Sequence, residues 1–162
     1  MAHITQLALG NRSIATKEDK PVILLRQRYI IREDLEANPQ VIYLFGDNML
    51  HVGLCGQAAE MRGSSNAVGI PTKWAPGTDP EDYFYDDMTL ADWHAATYTI
   101  QNAFAFAYER AAAMSGVVIV PAAGLGTGLS DLQNKAPRLL KYINDILANF
   151  SNQAAWPHAF PR

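Results

Sequence analysis

A single cysteine, Cys55, stands among 162 residues. No internal disulfide can form, and the chain reads as the product of a reducing compartment, the cytoplasm. Charge is also thin: 13 basic and 16 acidic residues make 18% of the chain and leave a net −3. That balance argues against a surface devoted to duplex nucleic acid, which needs clustered Lys and Arg to release counterions. It leaves room for one nucleotide in a pocket. No apolar run approaches the roughly 20 residues of a membrane span, and the start carries no signal-peptide core, so no membrane partner is expected. His3, His94 and His158 are scattered without ligand spacing, so no metal and no cofactor is expected. Repeats and low-complexity tracts are absent too.

What the chain does have is an apolar content of 49%, enough for one globular domain. Short β-rich runs alternate with helical patterns, which is an α/β sequence. Residues 21–31 (PVILLRQRYII) hold one or two strands, 32–39 a polar turn, and 40–45 (QVIYLF) a short strand. A short helix follows over 57–62 and a strand over 66–71. Residues 74–87 are rich in Pro, Gly, Asp and Tyr and read as a long loop over a site. The clearest helix spans 89–114, with Thr89 as N-cap, Trp93, Ile100, Phe104 and Ala107 at helical spacing, and Gly116 beyond its end. Phe106 is expected in the core with them. The last helix spans 131–150, buried along Leu139, Leu140, Ile143, Ile146 and Leu147. The organisation is thus an arm over 1–20, a domain over 21–150 and a tail over 151–162; the oligomeric state is not legible.

Residues 117–137 read VVIVPAAGLGTGLSDLQNKAP. A buried strand runs into Gly124, Gly126 and Gly128, and a helix starts soon after. Glycines let a backbone approach an anion, and free N–H groups with a helix dipole attract it. Residues 45–62 form a second loop of this kind, and two such loops imply a cleft for a diphosphate-containing nucleotide. A Rossmann site does not fit, because it needs G-x-G-x-x-G after the first strand.

Four motifs occur in order: Arg32-Glu33-Asp34-Leu35; Phe45-Gly46-Asp47-Asn48 followed by Gly53-Leu54-Cys55-Gly56-Gln57-Ala58-Ala59; Val68-Gly69-Ile70-Pro71-Thr72-Lys73; and Gly128-Leu129-Ser130-Asp131-Leu132-Gln133. Together, over about 29–147, they resemble the macrodomain family, whose members bind ADP-ribose. The resemblance is closest to the branch containing terminal ADP-ribose protein glycohydrolase and the DNA ADP-ribosyl glycohydrolases. It implies a single three-layer α/β/α fold around a mixed sheet. Asp34 would accept from the adenine amino group. Gly46, Asp47, Asn48, Gly53, Gly56, Gln57 and Ala58 would wrap the distal ribose and its phosphate, with Asp47 and Asn48 on ribose hydroxyls. Pro121, Gly124, Leu125, Gly126, Thr127, Gly128 and Leu129 would form the second phosphate loop. Lys73 would be the catalytic lysine, a type of residue that attacks carbon when desolvated. Ser130 falls on the branch's catalytic aspartate and Asp131 follows one position later, so Asp131 would be the catalytic acid beside Lys73, activating the leaving group or a water.

Each assignment has a plainer counterpart. Asp34 is also a turn aspartate, Lys73 a solvated strand-end lysine, Asp131 a helix N-terminal acid and Ser130 its cap. Cys55 is a tolerated small residue or, with His51, a nucleophile pair. Of Trp74, Tyr83, Phe84 and Tyr85, one would cover the nucleotide and the others anchor the loop. The function implied is removal of ADP-ribose from a modified protein or nucleic acid. The alternatives are a module that only binds ADP-ribose or another NAD-derived nucleotide, and a scaffold without a pocket.

Overall fold

A computed structural model describes residues 20–159. The arm expected over 1–20 lies outside them except for Lys20, as does His3. In chain order the elements are β1 (Ile23–Gln27), α1 (Arg32–Ala37), β2 (Ile42–Asp47), α2 (Ala58–Met61), β3 (Ala67–Pro71), α3 (Leu90–Ala112), β4 (Val117–Pro121), α4 (Leu132–Lys135) and α5 (Pro137–Ala148). Single 3-10 turns occur at Pro80–Asp82 and Gln153–Ala155.

The strands form one sheet in the order β1-β4-β2-β3. Every pairing among the described residues is parallel, where a mixed sheet was expected. Each connection between consecutive strands carries a helix, so each is a crossover and no hairpin arises. β2 shows why both faces must be covered: it is apolar at successive positions. Ile42 and Leu44 enter one core with α3 and α5, while Tyr43 and Phe45 enter a second with Leu35, Ala58 and Met61 of α1 and α2. A near-continuous apolar run is the pattern of a strand buried on two faces.

The crossovers through α1 and α2 step along the sheet in one direction on one face. The crossover through α3 steps back on the other. Direction and face reverse together, which keeps one hand throughout. The chain therefore leaves neighbouring strands β2 and β4 toward opposite faces, and a crevice opens between their C-terminal ends.

Several elements differ from expectation. The 32–39 turn contains helix α1, because Asp34 Oδ2 accepts from Ile31 N at 3.0 Å and Leu35 is buried. Of the one or two strands expected over residues 21–31 there is one, β1, and Tyr29 beyond it adopts φ 51°. The last helix is split at Ala136 (φ −141°), since Pro137 disfavours helical backbone in the residue before it. In α3, Thr89 Oγ1 caps Asp92 N at 3.1 Å, and Trp93, Ala96, Ile100, Phe104, Ala107 and Ala111 form the buried stripe. Phe106 falls between stripe positions and is 53% exposed, not core. Within the segment expected as a tail, Trp156 is buried against Phe150 and Phe104. None of the described helices is long and apolar enough to cross a membrane.

Candidate functional site

Three contiguous cavities run along the C-terminal ends of the strands. The first, about 520 Å³, is lined by Gln27, Tyr29 and Ile30 on one side and Pro121, Ala122 and Ala123 on the other, with Gln57 between. Gln57 also lines the second, about 340 Å³, whose walls are the 55–57 segment and the 123–130 loop. Gly46, Cys55, Leu129 and Ser130 are shared between the second and the third, about 80 Å³, which ends at Lys73. The middle cavity sits at the β2/β4 crevice, where open α/β sheets hold ligands.

The middle walls present backbone donors. Among the described residues, the N–H groups of Gly126, Thr127, Gly128, Leu129 and Ser130 have no protein acceptor, and neither do those of Gly56, Gln57 and Ala58. Backbone donors left unpaired along a cavity seek an acceptor from outside the chain. Gly126 is required here: it has φ 79°, and an added Cβ would overlap the side chain of Leu132. Gly124, Thr127, Gly128 and Leu129 line this cavity, and Pro121 lines the first. Leu125 lines none of the three; its side chain is buried in the core.

The third cavity is shaped by a buried carboxylate. Asp47 accepts from both terminal nitrogens of Arg62, from His51 Nδ1 at 3.1 Å and from Asn48 N at 2.8 Å. Burial pushes its carboxyl up, but Arg62, His51 and the Asn48 amide outweigh that and hold it below the ordinary carboxylate range. Gly69 leaves room for it, since a Cβ there would overlap the carboxylate. Arg62 also donates Nε to Gly53 O at 2.8 Å and ties down the 48–53 loop. Asn48 is spent in the same loop, donating to Val52 O at 2.7 Å and accepting from Leu50 N at 3.1 Å. Asp47, Asn48, Gly53 and Ala58 all line the cavity, but the polar atoms of Asp47 and Asn48 brace its wall. His51 pairs with Asp47, not with Cys55, so the structure contains no Cys–His couple at this place.

Lys73 is 7% exposed. Its Nζ donates to Gly77 O and lies 4.2 Å from the centre of the Tyr83 ring. Burial pushes its ammonium below the ordinary lysine value; Asp82 and Cys55 pull it up and Lys135 pushes it further down. The covering loop is fixed by the bridge between Lys73 and Tyr83 and by Phe84, fully buried against Trp74. Phe84 and Trp74 are thus anchors, and Tyr83 is the aromatic against the Lys73 amine.

Ser130 lines the cleft and Asp131 does not. Asp131 adopts the left-handed conformation (φ 50°), and its carboxylate takes Lys135 Nζ at 2.8 Å and Asn134 Nδ2 at 2.7 Å. Lys135 and then Asn134 hold its carboxyl below the ordinary range. Ser130 Oγ lies 2.6 Å from Thr72 Oγ1, whose proton goes to Asp47 O. Asp34 also stands outside the cavities, behind Gln27, whose Nε2 donates to its Oδ2 at 2.9 Å. Sequence reasoning missed Gln27 and Arg62. The available signals were a polar residue closing an apolar strand and a lone arginine ending a small-residue helix.

Among the described residues no cluster of His, Cys, Asp or Glu is arranged to hold a metal ion. The fold and site define a parallel α/β protein with a cleft lined by unpaired backbone donors at its switch point and a buried amine at one end. The chain belongs to the family of unknown function DUF7831, whose profile matches residues 25–146, a span containing every residue that lines the three cavities. No curated protein and no solved structure matches it.

Proposed function

We propose that the cleft binds ADP-ribose and that Lys73 removes it from an ADP-ribosylated protein or nucleic acid, as a macrodomain-type hydrolase. The observation carrying this reading is the middle cavity, with unpaired backbone donors on both walls and a buried amine beyond it. The diphosphate would lie between the 56–58 and 126–130 donors, the base in the 520 Å³ cavity and the distal ribose beside Lys73. The amine would attack the anomeric carbon as the bond to the acceptor breaks. The electron pair and a proton go to the acceptor, and water then cleaves the carbon–nitrogen bond to return the lysine. Asp131 would act from behind: it neutralises Lys135, whose Nζ shares the Tyr83 ring with Lys73 at 4.5 Å.

A second reading, a module that binds without cleaving, is favoured by one observation. Ser130 occupies the cleft position, and the nearest carboxylate in sequence, Asp131, is engaged outside it. Release of ADP-ribose from modified protein and modified DNA separates the two. Turnover that disappears in Lys73→Ala while ADP-ribose binding stays within about threefold supports the hydrolase. Tight binding without turnover on either substrate leaves the module.

A further inference from the structure

We propose that Gln27, not Asp34, reads the base, and that Asp34 is the positioning residue that fixes which end of the Gln27 amide meets it; this rests on the ADP-ribose reading above. Gln27 closes β1 and is held there by pairing opposite Pro121 and by Ala122 N donating to its carbonyl at 2.9 Å. Its side chain lines the 520 Å³ cavity, and Asp34 does not.

The orientation of the amide follows from its partner. An ionised carboxylate only accepts, so the end of the amide turned to Asp34 Oδ2 must be Nε2. Oδ2 is itself held by Ile31 N at 3.0 Å, so the anchor is part of the α1 cap and does not swing freely. Gln27 Oε1 has no partner among the described residues. The amide therefore keeps its carbonyl oxygen as the acceptor for a ligand. A purine with a 6-amino group donates to it, whereas a 6-oxo purine sets oxygen against oxygen. Gln57, on the facing wall, behaves differently: its amide has no bond among the described residues, so it turns to suit either base. Discrimination therefore falls to the amide that is locked.

Calorimetry of the whole chain with ADP-ribose and with its hypoxanthine analogue, inosine diphosphate ribose, tests this. The expected wild-type preference for the 6-amino base is about tenfold. Gln27→Leu, or Gln27→Met if the first variant folds poorly, binds both nucleotides alike. Asp34→Ala frees the amide to present either end and narrows the preference to about threefold. In the Gln27→Leu background the same change moves the ratio no further. Loss of the α1 cap alone would lower Tm and leave the ratio intact. A preference that survives Gln27→Leu and vanishes in Asp34→Ala overturns the assignment, as does ADP-ribose binding with no base preference in the wild type. Absence of binding by the wild type to ADP-ribose and to AMP overturns the ADP-ribose reading and this inference with it.

Discussion

Replacing Arg62 by methionine keeps the length of the side chain and removes its charge. The carboxylate left behind is that of Asp47, whose side chain is 3% exposed. It would retain His51 Nδ1 and the Asn48 amide and lose two guanidinium donors. The 48–53 loop would also lose the donor to Gly53 O. Breaking one side of a buried pair costs about 3 kcal/mol. At roughly 2–4 °C per kcal/mol for a domain of this size, Tm should fall by about 6–12 °C at neutral pH. The sign with pH follows from Asp47. In the wild type its folded pKa is depressed, so its contribution is present above the unfolded value and lost as pH falls through the folded one. In the variant, burial is opposed only by His51 and Asn48, and the folded pKa rises. A protonated Asp47 no longer carries an unpaired charge, so the deficit against wild type should shrink between about pH 7.5 and about pH 5. Thermal unfolding followed by circular dichroism at the two pH values reads both effects. Adding Asp47→Asn should recover part of the loss. A deficit under about 2 °C, or one equal at both pH values, would refute this account of the loop.

Two further predictions concern the cleft. Turnover should rise with pH as Lys73 loses its proton, with a midpoint below the roughly 10.4 of an unperturbed lysine, because burial lowers it; a pH–rate profile locates it, and Lys73→Arg should abolish turnover at every pH. Gly126→Ala forces a side chain into φ 79° against Leu132. It should cost about 2–4 kcal/mol of stability and at least about tenfold in ADP-ribose affinity, measured by chemical denaturation and by calorimetry; unchanged affinity would remove the 126–130 backbone from the site.

Periodicity carried the architecture where packing is one-sided and long. The stripe of α3 was legible because Trp93, Ile100, Phe104 and Ala107 recur at helical spacing. α1 was hidden because its six residues have one buried side chain, Leu35, and its cap depends on an aspartate acting three positions back. The break at Ala136 is written in Pro137, but a proline is also tolerated in a helix's first turn, so the sequence alone does not separate one helix over 131–150 from two. Parallel pairing leaves no local signature, since register between β2 and β4 joins residues far apart in sequence. At the site, glycines and the strand-end lysine could be placed by motif. The side chains that brace them could not: whether Asp47 faces a ligand or Arg62 depends on a pair 15 residues apart, and whether Asp34 or Gln27 meets the cavity depends on which lies in front.

The most direct test is titration of the protein with ADP-ribose by calorimetry, with AMP and NAD as controls. The cleft described here predicts one site per chain with micromolar-range affinity, on the order of −8 kcal/mol, weakened by at least about tenfold in Gly126→Ala. No detectable heat at millimolar ADP-ribose from folded protein would contradict the central claim and leave both glycine loops without the ligand proposed for them.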